Sequence, residues 1–168
     1  MNASKSKPTQ VLVLCTGNSA RSILGETLVN HYGKGQWHAY SAGSQPKGAV
    51  HPLALQTLHK HGIDTSGVRS KSWDEFAGEH APNLDIVITV CDNAAGEVCP
   101  VWHGAPVKAH WGIPDPAGDE GTLEERLESF EVAFTTLEKR IKRLVELPVA
   151  TLDRETFQTE LRKLAVIF

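Results

Sequence analysis

Cysteine is scarce in this chain. Three residues in 168, Cys15, Cys91 and Cys99, are too few, and odd in number, for the disulfide framework of a small secreted domain. Neither a Cys-x-x-Cys pair nor a His/Cys cluster at zinc spacing occurs, which argues against a structural zinc site. Long apolar runs are missing as well. Nothing approaches the roughly 20 residues that span a bilayer, and Met1 to Gln10 lacks the apolar centre and small-residue cleavage site of an export signal. An excess of basic charge is absent: 17 Lys and Arg face 20 Asp and Glu, a net charge of −3. That gives no electrostatic case for nucleic acid or for a membrane surface. The expectation is a cytoplasmic protein with neither of those partners. Internal repeats and low-complexity linkers are lacking too. What remains is a globular composition, 40% hydrophobic and 22% charged, at a length that suits one domain over residues 1–168.

The apolar pattern predicts alternating strands and helices. Val11-Leu12-Val13-Leu14 reads as a buried parallel strand. Ile23, Leu24, Leu28 and Tyr32 then recur at helical spacing up to Gly33. Further strands are expected at Trp37–Ser41, Asp85–Val90 and Val107–Trp111. Pro52 opens a short helix that Gly62 stops. Thr122-Leu123-Glu124-Glu125 is a capping box, followed by a stripe of Leu123, Leu127, Phe130, Phe134, Leu137, Ile141 and Leu144 on a long amphipathic helix that ends before Pro148. A last helix from about Asp153 would bury Phe157, Leu161 and Leu164. This is an α/β class with a parallel sheet. Ligands of such sheets sit at the C-terminal ends of strands, which is where Cys15, Cys91 and the loop after Trp111 all fall.

Between the first strand and the first helix stands Cys15-Thr16-Gly17-Asn18-Ser19-Ala20-Arg21-Ser22. A short loop in that place turns backbone N–H groups inward, and the helix N-terminus adds positive potential. Gly17 allows close approach of the backbone, Asn18 can shape the loop, and Arg21 offers a planar fork for two oxygens of a tetrahedral anion. Residues 16–22 are therefore the expected oxyanion-binding set, with Cys15 as nucleophile and Ser22 as a donor to its sulfur. The same field is expected to depress the Cys15 pKa. A thiol of pKa near 8.5 is about 3% ionised at pH 7 and one near 6 about 90%. Lower intrinsic nucleophilicity takes back most of that gain, so alignment and charge stabilisation must carry the rate. A phosphatase needs one such nucleophile, whereas a reductase must take two electrons from thiols and needs a second sulfur. Cys91 and Cys99, with Asn93, Ala94, Ala95 and Gly96 between them, are the candidates. The eight histidines, among them His51, His59 and His61 around one helix, lack metal-site spacing and read as surface groups.

Several segments together resemble the arsenate reductases of the low-molecular-weight tyrosine phosphatase superfamily. They are residues 15–22, Tyr40-Ser41-Ala42-Gly43, Gly62-Ile63-Asp64, Val90 to Pro100, and His110 to Ala117. The resemblance implies a three-layer sandwich around a central four-stranded parallel sheet, with a core over 10–148 and a C-terminal helical extension over 149–168. It implies that Cys15 attacks arsenate, that Cys91 attacks Cys15 and releases arsenite, and that Cys99 forms a final Cys91–Cys99 disulfide. An external thiol donor, thioredoxin or alternatively glutaredoxin with glutathione, would reduce that disulfide. Asp115 takes the general-acid position. No tightly bound cofactor is expected, although some relatives bind potassium, and the matching oxygen donors here are Asn18, Glu26, Ser41 and Asp64. Phosphate and sulfate would compete with arsenate. Two departures stand out. Ala117 follows Asp115-Pro116 where phosphatases of the superfamily usually carry an aromatic ring, and Ala20 precedes the loop arginine where some reductases have a fourth cysteine. A phosphatase acting on aryl or tyrosine phosphates, and a non-catalytic oxyanion-binding module, remain the alternatives.

Overall fold

The computed structural model describes residues 7–91, 96, 101–118 and 120–168. Its elements are β1 (Thr9–Leu14), α1 (Arg21–Gly33), β2 (Trp37–Ala42), α2 (Pro52–Lys60), a 3-10 turn at Trp73–Phe76, β3 (Ile86–Thr89), β4 (Val107–His110), α3 (Leu123–Leu144), a 3-10 turn at Val149–Thr151 and α4 (Arg154–Leu164). The four strands form one sheet in the order β2-β1-β3-β4, and every pairing is parallel. The α/β sandwich expected from the sequence is present, with outer layers of unequal size among the described residues.

Both faces of the central strand are covered, which is why it reads as an unbroken apolar run. Val11 and Val13 face a large core shared with α1, α2, α3 and α4. Leu12 and Leu14 face a smaller one built from Val87, Phe76, Leu84 and Trp102. The chain leaves β1 for β2 on one side and returns to β3 on the other. β1 and β3 thus flank the topological switch point, the crevice that a parallel sheet offers to ligands. Leu14 pairs with Thr89, and Val90 N–H donates to Leu14 O at 2.9 Å. The residues just beyond, Cys15 and Cys91, are therefore delivered side by side.

The helices follow the sequence pattern with some shifts at their ends. The capping box at Thr122 and Glu125 is formed, but Leu123, expected in the core, is 58% exposed. It lies on the first turn, which is exposed, and the buried stripe begins at Phe130. α1 ends at Gly33, but the left-handed residue is Lys34, at φ 49°. Gly33 is needed for a different reason: a Cβ there would lie 2.5 Å from that of Trp37. His51 caps α2, its Nδ1 accepting from Leu53 N–H, and His61 stacks on Phe134. Asp153 caps α4 through Thr156 N–H, and α4 buries Phe157, Leu161 and Leu164 as expected. α4 lies along the outer edge of β4. There Arg154 donates to Ala105 O and Pro106 O, and Gln158 to Lys108 O. No helix among the described residues is long and apolar enough to cross a membrane.

Burial separates two neighbouring positions on α3. Phe134 is 0% exposed and Val132 58%. Phe134→Ala should cost about 3–5 kcal/mol and Val132→Ala no more than about 0.5 kcal/mol, read from urea unfolding midpoints. Equal shifts for the two would show that the α3 stripe is misplaced.

Candidate active site

The loop after β1 is held from outside. Thr16 O accepts from Gln45 N–H at 3.0 Å, Gly17 O from Lys47 N–H at 3.0 Å and Ser19 O from His51 N–H at 2.9 Å. In a trans peptide the C=O and the following N–H point in opposite directions. Carbonyls turned outward at 16, 17 and 19 therefore aim the amides of Gly17, Asn18 and Ala20 inward. Gly43 makes this contact possible, since a Cβ there would fall 2.4 Å from Thr16 O and 2.7 Å from Cys15 O. Asn18 takes the left-handed turn at φ 44°, which its short polar side chain tolerates. Ala20 provides no side-chain cap for α1, and the first turn carries no acidic residue. The positive end of the helix is thus left for an anion.

The result is a cavity of about 250 Å³ lined by residues 15–21 together with Gln45, Lys47, Cys91, Asp115 and Ala117. Ser22, expected in the oxyanion set, is not among the residues that line the cavity. It is fully buried, and its hydroxyl accepts from Asn18 Nδ2 at 2.8 Å. Gln45 and Lys47 were not singled out from the sequence. The signal for them was positional: they follow the C-terminal end of β2, which neighbours β1 in the sheet. Lys47 adds a second cation to the cavity wall beside Arg21.

Cys15 and Cys91 are both buried thiols, and both line this cavity. Cys91 Sγ also accepts from Thr16 N–H at 3.3 Å and lies 3.7 Å from Thr16 Oγ1. This second sulfur reverses an expectation. The Cys15 thiol is pushed up, first by its hydrogen bond with Cys91, then by burial, while Arg21 and the Gly17 N–H pull it down. The positive field of the loop is local to residues 15–22, whereas the sulfur of Cys91 arrives from β3, about 75 residues on. Two thiols that share a proton ionise as a pair, and losing the second proton sets two charges side by side. Cys99 lies outside the described residues.

Arg21 spans the cavity. Its Nη1 donates to Ile113 O at 3.0 Å, and its Nη2 stands 3.7 Å from Asp115 Oδ2. Asp115 Oδ1 accepts from Ala117 N–H, so the Pro-Asp-Pro turn holds the carboxyl at the cavity mouth, 57% exposed.

The four oxygen donors matched to potassium are not gathered as a cage. Ser41 donates to the buried Glu26 carboxylate, but a buried lysine, Lys71, stands 3.8 Å from the same oxygen. Asn18 Oδ1 is taken by Lys71 N–H, and Asp64 is exposed and turned to Ser66. Burial pushes Glu26 up and Lys71 down from their ordinary values, and each opposes the shift of the other. These residues fit a lysine-neutralised carboxylate better than a cation site. Among the described residues no cluster of His, Cys, Asp and Glu could hold a metal ion.

Removing Cys91 takes away the first cause of the raised Cys15 pKa and leaves Arg21 and the Gly17 N–H in place. The half-titration point of Cys15 alkylation by iodoacetamide should therefore fall by about one unit or more in Cys91→Ala. An unchanged or higher value would refute the shared proton.

Comparison with known proteins agrees with this geometry. A family model described as low molecular weight phosphotyrosine protein phosphatase matches residues 10–158. An arsenate reductase of Shouchella clausii is 38% identical over 136 residues, covering 81% of this chain and 94% of the relative. Among solved structures, an arsenate reductase from Archaeoglobus fulgidus superposes with a TM-score of 0.64 at 30% identity, over 82% of this chain and 99% of that one. A thioredoxin-dependent arsenate reductase of Corynebacterium glutamicum gives 0.55 at 28% identity, over 83% of this chain and 65% of that one. The chain belongs to the low molecular weight phosphotyrosine protein phosphatase family, within which its relatives at this level of identity carry the name arsenate reductase.

Proposed function

We propose that this chain reduces arsenate to arsenite through a relay of thiols. The observation that carries the reading is the second sulfur in the anion cavity, Cys91, which lines it with Cys15 and sits on the Thr16 N–H. Hydrolysis of a phosphoester has no use for it. The names of the relatives support the same reading.

Arsenate enters with its oxygens on the inward amides and the Arg21 fork. Cys15 attacks arsenic as the thiolate while the shared proton rests on Cys91. An S–As bond forms and one As–O bond breaks, the departing oxygen leaving as water after taking a proton from Asp115. Cys91 then gives up its proton and attacks Cys15 Sγ, and the Thr16 N–H faces the charge that builds on this second nucleophile. An S–S bond forms, and the S–As bond breaks with its electron pair remaining on arsenic. Arsenic passes from the +5 to the +3 state as two thiols become one disulfide. Cys99 next attacks Cys91 Sγ, forming Cys91–Cys99 and returning Cys15 as a thiolate. An external dithiol closes the cycle. The net change is arsenate plus two thiols to arsenite, one disulfide and water.

Thioredoxin is the donor we propose, since the relay ends on a disulfide that a dithiol can reduce. A relative titled thioredoxin-dependent supports the choice. Glutaredoxin with glutathione would instead intercept an earlier intermediate. Phosphate and sulfate share the tetrahedral shape and should compete. A cycle that starts from reduced thiols suits a reducing compartment, and we place it in the cytoplasm.

Incubation of the reduced protein with arsenate should yield arsenite and a Cys91–Cys99 disulfide by mass spectrometry. In Cys99→Ser the disulfide should stop at Cys15–Cys91 after one turnover. Asp115→Asn should slow arsenite formation by about a hundredfold. Hydrolysis of an aryl phosphate with no cysteine oxidised by arsenate would establish the phosphatase instead.

A further inference from the structure

Arg140 on α3 is a charged side chain with 0% exposure and no carboxylate partner among the described residues. Burying a guanidinium without an opposite charge is costly, so what it holds is informative. Its Nη1 donates to Trp111 O at 2.9 Å and its Nε to Ile167 O at 3.0 Å. Its face packs on the Phe168 ring, 4.9 Å from the centroid. Nη2 is buried with no hydrogen-bond partner.

Trp111 is the first residue of the loop that leads to Asp115, and it is fixed at three atoms. Its N–H donates to Thr89 O at 2.7 Å, its carbonyl takes Arg140, and its indole Nε1 donates to Leu161 O at 2.9 Å. Two residues on, Ile113 O takes Arg21. The stretch that delivers the acid is thus suspended between two guanidinium groups, one inside the cavity and one in the core. The core anchor depends on Leu161 and Ile167, both beyond the 10–158 stretch that the family model matches.

We propose that Arg140, with the Trp111 indole and the backbone of 161–167, is a positioning device that sets the Asp115 loop against Arg21, so that the C-terminal segment governs the proton-transfer step. The role of Asp115 in this statement rests on the reductase reading above, whereas the clamp itself does not. Losing the clamp misplaces an acid without removing a substrate contact, so the loss should fall on kcat rather than KM.

The test combines Arg140→Met, Arg140→Lys and Trp111→Phe with steady-state arsenate reduction and amide hydrogen exchange. Arg140→Met should lower kcat by about tenfold to a hundredfold and leave KM for arsenate within about twofold. Exchange at 112–117 should rise by about tenfold or more while β1 stays protected. Arg140→Lys, which keeps one donor, should recover part of both effects. In an Asp115→Asn background, Arg140→Met should cost little further, because the two act on one step. Trp111→Phe keeps the ring, removes the Leu161 bond and gives the same signature, so a failure of Arg140→Met to fold leaves the idea testable. Unchanged exchange at 112–117 in a folded variant would overturn the clamp, and an undiminished kcat loss in the Asp115→Asn background would overturn its action through the acid. If the wild type releases no arsenite, the reductase reading falls, while the exchange result still decides the clamp.

Discussion

A cavity lined by backbone amides exists only when the carbonyls on the opposite side of the same peptides are satisfied elsewhere. Here that work falls to residues 43–51, which donate to Thr16, Gly17 and Ser19. Gly43 lets the two backbones approach to a distance that no side chain would permit. The inward turn of the loop amides follows from this one contact between loops. The parallel order β2-β1-β3 brings the partners together, because the segment after β2 and the segment after β3 both border the end of β1.

The second sulfur converts an anion site into a redox site, and it does so at a cost to the first. Burial and the Cys91 contact oppose a permanent charge on Cys15. In the proposed relay reactivity is therefore conditional, and each sulfur is the nucleophile in its own turn.

Much of this was legible in the sequence because it rests on local rules. The apolar run 11–14, the capping box at Thr122 and the spacing in α4 each specify their element within a few residues, and Cys15, Arg21, Cys91 and Asp115 lie at one cavity as the strand ends required. The rest depends on residues distant in the chain. Lys71 beside Glu26 and the buried Arg140 are charged residues that composition assigns to the surface. Only the fold turns them inward. The sign of the Cys15 shift belongs to the same class, since it comes from a neighbour on another strand. Leu123 shows the converse: the apolar stripe runs on into a first turn that the fold leaves exposed.

The bonds from Arg154 and Gln158 to Ala105, Pro106 and Lys108 have a meaning beyond this molecule's own packing. β4 is an edge strand, and an edge with open carbonyls is a template for a strand from another chain. Gln158 occupies the Lys108 carbonyl of the strand, and Arg154 the two carbonyls just before it, so α4 blunts this edge against intermolecular pairing. The segment that bonds the Trp111 indole thereby also covers an edge at which a second chain could pair.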